Sequence, residues 1–311
     1  MQLGGIHHLT AVTAQVGKNH AFYTQLLGMR LVKKTVNQDD VSAYHLFYAD
    51  GEASPGSDLT FFDWPVPRER RGTRSITRTG LRVGSEKSLM WWIDRLKAAD
   101  INVSAGFERA SRFGVDFEDF EGQRLSLVVD SKSKGNPWSQ STVPSEHQIL
   151  GLGPVTMSVP DLKPTKHLLT TIMGMREISE YTLGDSPVHV FEMGPGGAAA
   201  ELHVAVESNA PLARQGAGAV HHIAFRVASD EAYQGWLEHL ADSGIPTSGP
   251  VDRFYSKSLY FREPGGILFE IATDGPGFAA DEPKDKLGLK LALPPFLEPR
   301  RVEIERGLEP L

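Results

Sequence analysis

The 311-residue chain carries 32 Lys+Arg against 39 Asp+Glu, a formal charge of −7, with 40% hydrophobic residues and no cysteine. This globular composition excludes a disordered polymer, a collagen-like chain and a coiled coil, and the lack of cysteine excludes disulfides, thiolate metal sites and cysteine nucleophiles. The acidic balance argues against a nucleic-acid partner, no apolar run approaches the ~18 residues of a membrane helix, and Met1–Thr10 lacks the basic and apolar regions of a signal peptide, so a cytoplasmic protein is expected.

A short alternating strand is predicted at His7–Thr13, followed by an amphipathic helix at Lys18–Leu27 with Gly28 as its C-cap. The same order recurs as a strand at Ser75–Val83 and a helix at Glu86–Ala99, whose expected buried face is Met90, Trp91, Ile93, Leu96 and Ala99. It recurs again at Gly153–Val159 and Lys163–Met173, and once more at Val220–Val227 and Asp230–Ser243, where Gly244 is the cap. Three short strands bounded by Gly and Pro are predicted after each helix, giving four βαβββ modules. The stretch from Pro294 is expected to end in a helix near Glu298–Arg306, serving as packing, lid or subunit contact.

The modules are duplicated in pairs. Gly5–Thr13 answers Gly151–Val159, and Leu27-Gly28-Met29-Arg30 answers Met173-Gly174-Met175-Arg176, each 146 residues apart. Leu81–Glu86 answers Phe225–Asp230, and Trp92, Leu96 and Ile101 answer Trp236, Leu240 and Ile245, each 144 residues apart. The expected fold is α+β, with two tandem domains at 1–132 and 148–275, a Ser/Pro-rich linker at 133–147 and a C-terminal tail at 276–311.

A polar residue present in only one copy of a repeat needs its own reason. His8 faces Pro154 in the other copy, His222 faces Arg78, and Glu270 faces Ser126. All three sit on predicted strands of apolar and β-branched residues, where a carboxylate such as Glu270, between Phe269 and Ile271, is costly unless paired or metal-bound. Two histidines and one carboxylate make the facial ligand set of Fe(II) and similar divalent ions. His7 and His221 should point away from a metal held by their neighbours, because adjacent strand residues face opposite ways. His45 and His189 occupy like positions 144 residues apart and read as structural, whereas His20, His147, His167 and His239 read as surface residues and His203 has no evident ligand cluster.

The His7-His8-Leu9-Thr10 start, Phe22–Arg30 and Pro264–Glu270 resemble the vicinal oxygen chelate (glyoxalase/bleomycin resistance/dioxygenase) superfamily. Tyr44–Asp50, Trp91-Trp92-Ile93, His221-His222 and the tail from Gly277-Phe278 to Leu287-Gly288 extend this over nearly the whole chain, which is similar to hydroquinone-cleaving dioxygenases of the dichlorohydroquinone dioxygenase kind. The resemblance implies two tandem glyoxalase-like domains and a metal on His8, His222 and Glu270. It also implies Arg253 and Tyr260 beside the substrate, Fe(II) as the ion with Mn(II) admitted by the same ligands, and an aromatic diol with O2 as substrates. Catechol-cleaving relatives take a ligand from the start of the third module, where this chain has Pro154, so modules one and four must enclose the metal and modules two and three a metal-free cavity. Tyr260 breaks the repeat against Asp116, whereas Arg253 matches Arg109 and divides evenly between salt bridge and catalysis. Tyr255 and Phe278 read equally as a pocket wall or as packing.

Two other readings stay open. A glyoxalase-like isomerase or lyase would need a second carboxylate, for which only Asp58 and Asp63 stand near, both at strand ends and expected in solvent. A non-catalytic small-molecule-binding protein would keep the fold without the ligands. A homo-oligomer is compatible with all three.

Overall fold

A computed structural model describes residues 1–311. Module one comprises β1 (Ile6–Thr13), α1 (Val16–Ala21), β2 (Arg30–Val36), β3 (Tyr44–Ala49) and β4 (Asp58–Asp63). Module two comprises β5 (Ser75–Val83), α2 (Glu86–Ala98), β6 (Phe107–Arg109), β7 (Arg112–Glu118) and β8 (Arg124–Val129). Module three comprises β9 (Gly151–Val159), α3 (Leu162–His167), β10 (Arg176–Leu183), β11 (Ser186–Glu192) and β12 (Glu201–Val206). Module four comprises β13 (Val220–Val227), α4 (Asp230–Asp242), β14 (Val251–Asp252), β15 (Ser256–Arg262) and β16 (Leu268–Pro276). The tail ends in α5 (Arg301–Gly307), as the sequence leads one to expect. No helix is long and apolar enough to cross a membrane.

The four modules form two curled eight-stranded sheets. One runs β14-β15-β16-β13-β1-β4-β3-β2 and the other β10-β11-β12-β9-β5-β8-β7-β6. Each sheet therefore takes one module from each half of the repeat, joined where β1 pairs antiparallel with β13 and β5 with β9. These joining strands are central, and β1 and β9 are buried along their whole length. Their alternation supplies two buried faces: Leu9 and Ala11 pack into the core, while His8 and Thr10 look into the hollow of the curled sheet. The connection from β4 to β5 and that from β12 to β13 also pair with each other, Arg70 and Arg214 exchanging backbone hydrogen bonds at 3.0 and 2.9 Å. One cluster of 51 buried residues runs through both sheets.

α1 and α3 each widen into a π turn, at Phe22–Leu26 and Leu168–Ile172, before Gly28 and Gly174 end them at φ +67° and +68°. That left-handed conformation favours glycine. The buried face of α2 is Leu89, Trp92 and Leu96, capped by Ser85. Of the expected face only Leu96 is fully buried: Trp91 and Ile93 are half-buried, Ala99 is exposed and Met90 is 59% exposed. The helix starts at Glu86 as predicted; at about 100° per residue the five expected positions scatter around the axis, whereas Leu89, Trp92 and Leu96 form one stripe, and that stripe packs.

Candidate metal centre and its aromatic pocket

Three strands from the two ends of the sequence carry the polar cluster. β13 lies between β1 and β16, antiparallel to the first and parallel to the second. This brings His8, His222 and Glu270 together. His8 Nε2 lies 3.3 Å from His222 Nε2, and Glu270 Oε2 lies 3.3 Å from His8 Nε2 and 3.0 Å from His222 Nε2. All three ligand atoms fall within 4.8 Å of one another.

The imidazoles are aimed by their sequence neighbours. His7 Nδ1 sits 2.9 Å from His8 Nδ1, and His221 Nδ1 sits 2.8 Å from His222 Nδ1. If each inner ring donates its Nδ1–H outward, its Nε2 lone pair points at the centre of the cluster. Burial, with the neighbouring ring's charge second, pushes His7 and His221 down to about 3, so both stay neutral acceptors. Burial also lowers His222. Burial alone would raise Glu270, but His8 and His222 outweigh it and hold the carboxyl well below the usual range. Its Oε2 is buried and accepts no hydrogen bond. An orphaned carboxylate oxygen facing two imidazole nitrogens is a donor set that a divalent cation satisfies.

Tyr260 pairs with Glu270 across β15 and β16, and its ring meets His222 edge-on at 5.9 Å. Burial raises its phenol above the ordinary value. Arg253 Nε approaches the Tyr260 hydroxyl at 3.4 Å, while its Nη2 donates to Asp39 at 2.9 Å. Both residues line a pocket that contains the His8–His222–Glu270 cluster and is walled by Phe47, Phe62, Tyr255 and Phe278.

Several histidines depart from their expected places. His45 lines this pocket, with Nε2 3.0 Å from Thr60 Oγ1 and its ring against Phe47 and Phe62. His45 pairs with Thr35, whereas Val188 pairs with Tyr181, 146 residues beyond Thr35. The true counterpart of His45 is therefore Val188. The strand offset slips by one residue, which places His189 on the other face, beside Glu177 at 2.8 Å. His147 is buried, stacked on Trp91 at 4.8 Å and 3.0 Å from Ser88 Oγ. His203 meets Tyr181 at 3.0 Å and Glu201 at 3.2 Å.

Asp58 is also misplaced by a solvent-exposed reading: it is buried on β4 beside the pocket, and burial raises its carboxyl well above the ordinary value. Glu270 pairs with Ala224, two residues past His222, and the residue pairing two past His8 is Thr60. A hydroxyl, bonded to Thr10 at 2.8 Å, thus occupies the position where a second carboxylate ligand would stand.

The matching positions of the other sheet hold an ion-pair network. Arg109 grips Asp116 through two bonds of 3.1 and 2.8 Å, Ser126 donates to Asp116 at 2.6 Å, and Arg78 lies 3.3 Å from it. Pro154 lines the same cavity.

The family model described as the Glyoxalase/Bleomycin resistance protein/Dioxygenase superfamily matches residues 5–127 and 151–271, and the chain belongs to that superfamily. It is 48% identical, over the full length of both chains, to "Putative ring-cleaving dioxygenase MhqA" of Bacillus subtilis (strain 168). It is 29% identical to the chlorohydroquinone/hydroquinone 1,2-dioxygenase of Sphingobium indicum, covering 98% of this chain and 95% of that one. A crystal structure described as a putative dioxygenase from Bacillus subtilis superposes with a TM-score of 0.93 at 35% identity, covering 100% of this chain and 98% of the other.

Proposed function

We propose that the protein is a metal-dependent ring-cleaving dioxygenase that opens a hydroquinone or catechol-type diol with O2. The observation that carries this is the convergence of His8, His222 and Glu270 within 4.8 Å at an aromatic-walled pocket, in a chain similar over its whole length to ring-cleaving dioxygenases. The three side chains are the ligands in this reading, and Fe(II) is the ion, with Mn(II) the alternative. Such an ion would supply binding positions and redox chemistry for a phenolic oxygen and O2.

The chain's own groups do the rest. His7 and His221 hold the ligand rings in one orientation and one tautomer. Tyr260 keeps its proton because it is buried, and its hydroxyl would donate a hydrogen bond or that proton to a substrate oxygen in the pocket. Arg253, charged and fixed by Asp39, steadies an anionic oxygen of the substrate or of the ring-opened acid. Phe47, Phe62, Tyr255 and Phe278 exclude water and fit a flat ring. The reading retains the domain limits 1–132 and 148–275 and a cytoplasmic setting.

An isomerase of the glyoxalase kind is disfavoured by Thr60, and a non-catalytic binder by the intact donor set. The test is oxygen uptake by the anaerobically Fe(II)-loaded protein against a panel of hydroquinones and catechols. Stoichiometric O2 consumption with a ring-opened product supports the reading; none with any diol, beside turnover of a glutathione hemithioacetal, overturns it.

A further inference from the structure

Outside the metal centre, β2 carries a fully buried ammonium. The Lys33 side chain is 0% exposed. Its Nζ donates to Asp281 Oδ1 at 2.7 Å, to the Phe278 carbonyl at 3.1 Å and to the Glu282 carboxylate. It also lies 4.6 Å from the centre of the Tyr255 ring and 5.9 Å from that of Phe278. The Tyr255 hydroxyl completes the cluster, donating to the other Asp281 oxygen at 2.7 Å. A buried ammonium persists only when its protons are matched. Here every match comes from residues 278–282, so the charge binds the tail and not the sheet that carries it.

The tail in turn builds the pocket. Gly277 and Phe278 line it together with the three candidate ligands. The Phe278 ring packs edge-on against Phe47 at 4.8 Å and lies 5.5 Å from Tyr255. It thus spans the gap between β3 and the turn before β15, which belong to opposite ends of the curled sheet. Further along, Leu287 packs on Val32 and Phe47, and Ala292 donates its N–H to the Lys34 carbonyl at 2.9 Å. The duplication provides an internal control. Lys33 pairs with Phe47 as Ser179 pairs with Val190 in module three. That strand, β10, has serine in place of the lysine and is exposed along almost its whole length.

We propose that Lys33 is a positioning residue that latches Gly277–Glu282 across the pocket, so that Phe278 becomes the wall that selects among substituted aromatic rings. The nature of the ring rests on the dioxygenase reading above; the latch does not.

The test compares the metal-loaded full chain with its Lys33→Met and Phe278→Ala variants, and with an Asp281→Asn/Glu282→Gln double variant that breaks the latch from its more exposed side. Hydrogen exchange over residues 277–293 is expected to rise about tenfold or more in Lys33→Met and in the double variant, and to stay low at 284–293 in Phe278→Ala. In oxygen uptake with methylhydroquinone, the latch variants should show KM raised about tenfold with kcat within about threefold, because the reacting centre is untouched. Phe278→Ala should flatten the ranking of hydroquinone against bulkier ring-substituted forms. Unchanged exchange in both latch variants overturns the latch, and a loosened tail with unchanged KM and unchanged ranking overturns the role of Phe278. If the wild type consumes no diol, the dioxygenase reading fails on its own and the exchange measurement still decides the latch.

Discussion

The residue with the most to lose is Glu270, a buried carboxylate facing two imidazoles. Glu270→Gln keeps the shape but halves the donor character, so bound metal should fall from one ion per chain toward zero, with activity reduced at least about a hundredfold; elemental analysis and oxygen uptake read both. His7→Phe tests the outer ring: metal affinity should fall by about ten- to a hundredfold with the fold intact, measured by competition with a chelator. Acid should expose the same histidines. His7 and His221 are held near 3 in the folded protein against an ordinary 6.5, so the unfolded chain binds the extra protons. Stability of the metal-free protein is therefore full above pH ~6.5 and falls as pH drops below it, by up to roughly 1.4 kcal/mol per pH unit for each histidine. Urea midpoints between pH 7 and 5 check this, and a flat profile would contradict it. At this scale the sequence was informative wherever the two copies differ. His8, His222 and Glu270 stand out against Pro154, Arg78 and Ser126 because the second cavity holds an ion-pair network at those positions in place of the candidate ligand set. Arg253 did not stand out because its counterpart Arg109 is also an arginine in a salt bridge, to Asp116 where Arg253 meets Asp39.

Among the elements, the paired helix ends isolate a tertiary contribution. Gly28 and Gly174 have nearly the same φ, but a Cβ on Gly28 would meet Ser141 Oγ and Val143 Cγ2 at 2.6 Å, whereas Gly174 has nothing within 4 Å. Gly174→Ala should cost about 1–2 kcal/mol for the left-handed backbone alone. Gly28→Ala should cost about 1–3 kcal/mol more for the displaced linker segment, measured by denaturant unfolding. Element starts and types were legible, since β5 and β13 fall at the predicted residues. Phase was less so. The α2 face was misread although its start was right, and the β3/β11 offset went astray by one position, which carried His45 from a structural reading to the pocket wall.

For the whole molecule, the exchange of modules between halves has a mechanical consequence. Each sheet is held across the repeat by β1–β13 and β5–β9, so a cut in the linker severs no strand. A protease site placed at Lys134–Gly135 should give two fragments that co-elute on gel filtration and retain the metal and the activity. Separation of the fragments would show that the paired strands do not suffice.

The amino-acid sequence by itself determined the four modules, the duplication and the residue types able to hold a divalent cation, because hydrophobic period and repeat asymmetry are written locally along the chain. Which modules share a sheet follows from the chain too, but only through the resemblance that sets Pro154 outside the metal site. Tertiary structure alone decided that His45, Asp58 and Thr60 face the pocket, that His147 is buried, and that the tail closes over Lys33. Those outcomes depend on strand register and on contacts between residues more than 200 positions apart, such as Lys33 with Asp281. No local pattern encodes such contacts, since they form only when the curled sheet brings its two ends together.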